Sequence, residues 1–271
     1  MSLKEVVKRL LRPYSDHWVY TARRGLAKGM RLKGGLQFVP SLRTSKEEQH
    51  FLNCGFEWEG KTIYDVGANW GITTLFFASR VGPRGTVYAF EPVPDLLEKV
   101  NDNVRLNNMV NVTTFPYALG DYDGSSELVF FPEATGISTM DPEFMIRNLK
   151  KHRGVKCHVV VRKLDSIVQE LSLKPPDLIK IDVEGFELQV LRGAEHLLST
   201  HLPVLILEVH GATALIMAEN KSKVFSFLNA LGYRIFDALN GFIEIAQEQA
   251  SSTVGNMWHC VARDEQYRML I

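Results

Sequence analysis

Short apolar runs alternate along this chain with stretches of helical periodicity. Thr62–Val66 and Thr86–Phe90 read as buried strands, and Ile72–Val81 between them is an apolar stretch of helical length closed by Gly82, Pro83 and Gly85. Pro94 and Asp95 then open a helix with Leu96, Leu97, Val100 and Val104 on one face, and Val112–Tyr117 reads as a third strand. Leu178–Val183 and Pro203–Val209 follow as the fourth and fifth. Between them, Gly185 turns the chain into a helix striped by Phe186, Val190, Leu191, Ala194, Leu197 and Leu198. A helix from about Lys221 to Leu231, stopped by Gly232, leads to late strands at Tyr233–Asp237, Phe242–Ile245 and Met257–Ala262. Strands alternating with helices and finishing in a hairpin predict an α/β fold with a mostly parallel sheet and an antiparallel C-terminal edge.

Two segments depart from that alternation. Ser126–Phe131 and Lys156–Lys163 have the period of antiparallel strands, and Pro132–Gly154 between them has little periodicity. A long irregular loop in a compact domain is usually functional, so 132–154 is expected to be a substrate lid. Near the N-terminus, Leu3, Val6, Val7, Leu10 and Leu11 recur at helical spacing among Lys4, Lys8, Arg9 and Arg12, a short amphipathic helix. Gly29, Gly34 and Gly35 argue against one continuous element over Tyr14–Leu36. Ser45 and Glu48 form a capping box that starts a helix through Leu52.

The first strand–turn–helix–strand unit carries the clearest chemistry. Gly67 and Gly71 let the backbone approach a ligand, and Glu91 ends the second strand about 20 residues on, where a crossover brings an acid to a ribose diol. A dinucleotide loop favours G-x-G-x-x-G, but here Asn69 stands at the middle glycine position and Asp65 precedes the loop. That arrangement suits a nucleoside without a pyrophosphate and with an ammonium-bearing amino-acid end, such as S-adenosylmethionine. On the residues alone, a methyltransferase and a nicotinamide-dependent oxidoreductase both remain open.

Charge divides the chain. Residues 1–46 hold eleven Lys/Arg against two Asp/Glu, a net +9, and because the whole chain holds 31 of each, the remainder is −9. A basic N-terminal arm (1–45) on a methyltransferase-like body (46–271) either packs back on that body or meets an anionic partner, a membrane surface or a nucleic acid. The 271 residues allow one large domain. Cys54, Cys157 and Cys260 lack C-x-x-C spacing, which argues against zinc and a disulfide framework and for a reducing, cytoplasmic compartment, with peripheral membrane contact left open. No run approaches a membrane span, and no signal-peptide core is present.

In order and spacing, YDVGANWG, YAFEP, ALGD and IKIDVEGFELQVLRG resemble the FkbM-type methyltransferases, a branch of the class I S-adenosylmethionine enzymes. The resemblance covers about Phe51 to Gly211. It implies a Rossmann-like, doubly wound, seven-stranded sheet and methyl transfer, usually to a hydroxyl of a small-molecule, sugar or lipid-like acceptor. Carried over by position, it assigns Asp65, Gly67, Asn69 and Gly71 to the first cofactor loop and Glu91 to the ribose. Ala118 and Leu119 then lie along the adenine with Asp121 closing the turn, and Asp182 lies beside the methionine portion and the methyl group.

A hydroxyl acceptor benefits from a general base within hydrogen-bond reach. His210 and Asp182 rank ahead of Glu184 and Glu208 for that role, His210 because its ordinary pKa lies near working pH. Asp182 and Glu208 alone do not make a metal site, so no metal is assigned. A base amino group is disfavoured as acceptor, since no D/N-P-P-aromatic motif follows the fourth strand. A non-catalytic cofactor-binding module that attaches to RNA or membrane through its arm stays as an alternative.

Overall fold

The computed structural model describes residues 17–34, 45–264 and 266. The expected amphipathic helix over Leu3–Arg12 lies outside these residues.

Among the described residues the main sheet has eight strands. Five are parallel neighbours: β5 (Val112–Phe115), β4 (Thr86–Phe90), β3 (Thr62–Val66), β9 (Leu178–Ile181) and β10 (Val204–Glu208), in that spatial order. The main sheet starts at β3 and winds outward first to one side and then to the other. The topological switch therefore falls between β3 and β9, where open α/β sheets place ligands. The C-terminal strands are antiparallel as expected, but the reversed strand β13 (Met257–Val261) is one place inside the edge. It inserts between β10 and β11 (Arg234–Asp237), and the two-residue β12 (Ile243–Glu244) forms the rim and the eighth strand. A small second sheet holds β6 (Tyr117–Leu119), β7 (Gly124–Phe130) and β8 (Val155–Arg162), with β7 and β8 antiparallel. The expected single strand Val112–Tyr117 is thus cut at Pro116, which has no N–H for the ladder.

Strand period two sorts the core. Tyr64, Ile179, Ile181, Leu205 and Leu207 pack on one face with Val190, Leu191, Leu197, Leu198, Val224 and Leu228. Ile63, Leu178, Val204 and Ile206 pack on the other with Phe51, Phe76 and Phe77. Phe51 belongs to α1 (Lys46–Asn53), whose start is the Ser45/Glu48 capping box; Phe76 and Phe77 belong to α2 (Ile72–Val81). The same parity puts Asp65, Lys180 and Glu208 on the Ile63 face.

Helices differ from the sequence pattern in three places. The stripe after Gly185 is two helices, Glu187–Arg192 and Glu195–His201, joined at Gly193, where a Cβ would collide with the Gly120 carbonyl. The late helix starts at Ala214 rather than Lys221, capped by the Thr213 hydroxyl on Ile216 N–H. Pro132–Gly154 is not irregular throughout: it holds a 3-10 turn at Thr135–Ile137 and the helix Pro142–Leu149, capped by Asp141.

Part of the basic segment lies on the body. β1 (Val19–Thr21) and β2 (Arg31–Lys33) form a hairpin, with Leu32 buried. Lys33 pairs with Asp102 at 2.6 Å, and the Lys33 and Arg31 backbone N–H groups donate to Asn103 and Asn107. The last three residues belong to, or directly follow, the helix Pro94–Leu106. No helix among the described residues is long and apolar enough to cross a membrane.

Candidate active site

The loop after β3 is shaped from both sides. Gly67 and Ala68 donate to the Phe90 carbonyl, each at 3.1 Å, and Lys180 Nζ donates to the Gly67 carbonyl at 2.9 Å. Gly67 has φ +78°, and a Cβ there would collide with the Asp182 carbonyl oxygen, so the glycine is required twice over. Asn69 also takes a left-handed φ of 52°. Its backbone N–H donates to Glu91 Oε2 at 2.8 Å, and Val93 N–H donates to Glu91 Oε1 at 3.0 Å. Burial pushes the Glu91 carboxyl up to about 7, against the pull of these two N–H groups and of Lys180.

Gly67, Asn69, Glu91, Ala118, Leu119, Asp182 and Glu184 line one crevice at the carboxyl ends of β3, β4 and β9. Thr135–Met140 supplies much of the opposite wall, held by Trp70 Nε1–H to Thr135 Oγ1 at 2.8 Å and Thr139 Oγ1–H to the Glu184 carbonyl at 2.7 Å. The cavity measures about 100 Å³, narrow beside the roughly 300–1,000 Å³ usual for small-molecule clefts.

Other sequence-assigned residues stand elsewhere. Asp65 is fully buried beneath the loop, where Oδ2 accepts from Thr73 and Thr74 at 2.8 and 2.6 Å and Oδ1 lies 3.4 Å from Lys180 Nζ. It props the loop from below and does not line the crevice. Gly71 caps α2 in a left-handed conformation against Val100. Asp121 does not line the crevice either: Gly120 N–H is bound to the Arg162 carbonyl, so the chain has already turned into the small sheet.

Asp182 also faces a second cavity of about 220 Å³, with Lys180, Glu208, Glu47, Phe51 and Met257. Lys180 Nζ lies 3.5 Å from Asp182 Oδ2; burial disfavours its charge, but Asp182 and Asp65 outweigh that and raise its pKa. His210 sits beside this wall, 12% exposed, in a cage of carboxylates. Its Nδ1 is 2.9 Å from the buried Glu187 Oε1, and its Nε2 is 3.4 Å from Glu208 Oε1 and 3.8 Å from Glu184 Oε1. Burial opposes its charge, yet Glu187 and Glu208 overcome it and push the imidazolium up to about 12. Burial, reinforced by Asp182, Glu187 and Glu208, pushes Glu184 up to about 8 despite His210. Asn256 Nδ2–H donates to Glu208 Oε1 at 2.6 Å, and Phe144 meets the His210 ring edge-on at 6.2 Å.

Lys180 is the counter-ion of two aspartates and Glu187 the partner of His210, roles that no local motif in the sequence marks. Asn256 carried no signal at all, because it arrives on the strand inserted beside β10.

Strand order, glycine turn and acid define a class I, Rossmann-like methyltransferase architecture. The chain belongs to the FkbM methyltransferase family, whose domain model matches residues 65–235. Methyltransferase 1 of Beauveria bassiana is 34% identical over 145 residues, 49% of this chain and 58% of that protein, so the match spans under two thirds of that relative. The 31-O-demethyl-FK506 methyltransferase FkbM of Streptomyces tacrolimicus is 28% identical over 231 residues, 76% of this chain and 86% of that protein. A crystal structure of methyltransferase FkbM from Methylobacillus flagellatus shares 19% identity at TM-score 0.48, covering 76% of this chain and 44% of that one.

S-adenosylmethionine is the cofactor of this family, and the residue types lining the crevice suit it. Glu91 and Asn69 both line the crevice, and the buried Asn69 Oδ1 has no hydrogen-bond partner.

Proposed function

We propose that this protein transfers a methyl group to a hydroxyl oxygen of a small-molecule, sugar or lipid-like acceptor. The observation that carries the reading is the position of Asp182, on the wall common to the cofactor crevice and the second cavity. Glu91 would hold the ribose diol, the Gly67–Asn69 backbone the amino-acid end, and Ala118 and Leu119 the adenine face. When bound, S-adenosylmethionine would supply an electrophilic methyl on a sulfonium with a neutral thioether as leaving group, and a carboxylate of this chain would take the proton of the acceptor hydroxyl.

This chain's contribution is position and field. Asp182 is the residue within reach of both cavities and takes the proton. Lys180 fixes its orientation from behind, and His210, gripped by Glu187, holds Glu208 beside it. Glu184 closes the same corner of the crevice. Thr135–Met140 and the helix Pro142–Leu149 act as a lid, since the crevice must widen at this wall to admit a nucleoside. The name of the Streptomyces relative, an O-demethyl substrate methyltransferase, supports oxygen as the acceptor atom.

The test is incubation with methyl-labelled cofactor and a metabolite extract, followed by identification of the labelled product. A product methylated on oxygen, formed by the wild type and reduced by about two to four orders of magnitude in Asp182→Asn, is the expected result. Label on nitrogen or carbon, or equal turnover in the variant, overturns it.

A further inference from the structure

Asp182, Glu208 and His210 each present one ligand atom, and these three atoms lie within 4.8 Å of one another. Asp182 directly follows β9, Glu208 ends the adjacent parallel strand β10, and His210 lies two residues beyond it. We propose that they form a divalent-cation site facing the acceptor cavity, a proposal that rests on the methyl-transfer reading and deepens it.

Three features distinguish this group from a solvated acidic patch. His210 is already oriented as a ligand: its Nδ1 is held at 2.9 Å by Glu187, which is 1% exposed, so Nε2 is directed toward Glu208 and away from the core. A buried carboxylate behind a ligating imidazole is the arrangement that fixes tautomer and ring direction at metal centres. Glu208 is steadied in the same way by Asn256 at 2.6 Å. The charge is also unbalanced. Asp182, Glu187 and Glu208 converge here against His210 and Lys180, and Lys180 is shared with the buried Asp65.

Access completes the argument. Asp182 and Glu208 both line the second cavity, so a cation entering there meets two carboxylates, and His210 Nε2 lies 3.4 Å from Glu208 Oε1. Ligands about 2.1 Å from an octahedral ion lie roughly 3.0–4.2 Å apart, so atoms spread over as much as 4.8 Å must close in by roughly 0.6 to 1.8 Å. Imidazole with two carboxylates favours a transition cation of the Mn²⁺ or Fe²⁺ type over Mg²⁺, which prefers oxygen alone. Binding displaces the proton on His210 Nε2 to solvent. The cation would hold the acceptor hydroxyl beside Asp182 and lower its pKa.

The experiment is a titration of the chelator-treated full chain with Mn²⁺, read by electron paramagnetic resonance, with S-adenosylhomocysteine affinity measured in parallel by calorimetry. One site per chain with a nitrogen hyperfine coupling is expected. His210→Gln should abolish that coupling, and Glu208→Gln and Glu187→Gln should each weaken Mn²⁺ by about tenfold or more. Retained S-adenosylhomocysteine binding in these variants shows that they are folded. If Mn²⁺ fails to bind, or binds His210→Gln as it does the wild type, while S-adenosylhomocysteine still binds, the cation site is overturned and the methyl-transfer reading is untouched. If Mn²⁺ binds with the nitrogen coupling but S-adenosylhomocysteine does not, the site is supported and the reading beneath it fails.

Discussion

Asn69 and Glu91 stand on different βα loops, 22 residues apart in sequence, and are joined by a 2.8 Å bond from the Asn69 backbone N–H to the Glu91 carboxylate. The acid that is to hold a ribose therefore also holds the glycine loop in its left-handed turn, and cofactor affinity and loop geometry titrate together.

That coupling fixes a pH dependence. Burial raises Glu91 to about 7, so near neutrality the free protein is a mixture of acid and carboxylate. Ribose hydroxyls donate to the carboxylate and favour the ionised form, so affinity is full above pH 7 and falls as pH drops below it. S-adenosylhomocysteine binding should weaken by about tenfold per pH unit below 7 and release protons near pH 7. Glu91→Gln should bind more weakly and lose the slope; calorimetry in buffers of different ionisation enthalpy checks both. Glu91→Ala additionally strips two backbone N–H groups of their acceptor and should lose stability as well.

Lys180 and Asp65 form a buried pair, 8% and 0% exposed at the side chain, paired directly across β9 and β3. Removing one partner leaves the other charge buried and uncompensated. Lys180→Met should cost about 3–5 kcal/mol in urea unfolding, and the double variant Asp65→Asn/Lys180→Met should recover part of that loss. Strict additivity of the two single changes would show that the pair does not interact.

The sheet and the cofactor loop were legible because their signals are local. A β-branched run, a glycine that must reach φ +78° and an acid at the next strand end all lie within Thr62–Glu91. What was hidden depends on which strands become neighbours. Parity puts Lys180 on the face of Asp182, but only the pairing of β9 with β3 sets it opposite Asp65. Asn256 reaches Glu208 because β13 inserts beside β10, which no window of sequence announces. The helix Pro142–Leu149 was missed for a different reason. It buries only Phe144 and Asn148, too few for a stripe, although Asp141 before Pro142 is a readable cap.

The lid reading predicts a kinetic change. The Thr135–Met140 wall is latched by Trp70 to Thr135 and by Thr139 to the Glu184 carbonyl. A latch of one hydrogen bond contributes about 1 kcal/mol. Thr135→Val should therefore raise the open population about fivefold and speed S-adenosylhomocysteine association in stopped flow by a similar factor. Amide exchange across 132–141 should rise with it. Unchanged association with faster exchange would mean that this wall moves without gating the crevice.

Far from the crevice chemistry, the contribution of His50 and His259, like cofactor affinity at Glu91, is lost as pH falls. His50 Nε2 and His259 Nδ1 lie 3.2 Å apart beside Phe242, and His259 is fully buried. Burial lowers the pKa of both, and His50 lowers His259 further. Each ring is therefore neutral in the folded protein at pH values where the unfolded chain, with a pKa of about 6.5, takes up a proton. Stability from this pair is present above pH 6.5 and is lost as pH falls below it. The loss should approach about 1.4 kcal/mol per pH unit for each proton that only the unfolded chain binds. Urea unfolding of the wild type between pH 7.5 and 5 should show this slope, and His259→Phe, which fills the same aromatic site without titrating, should flatten it. If the variant loses stability with acid as steeply as the wild type, the acid sensitivity belongs to other groups and the His pair is only packed.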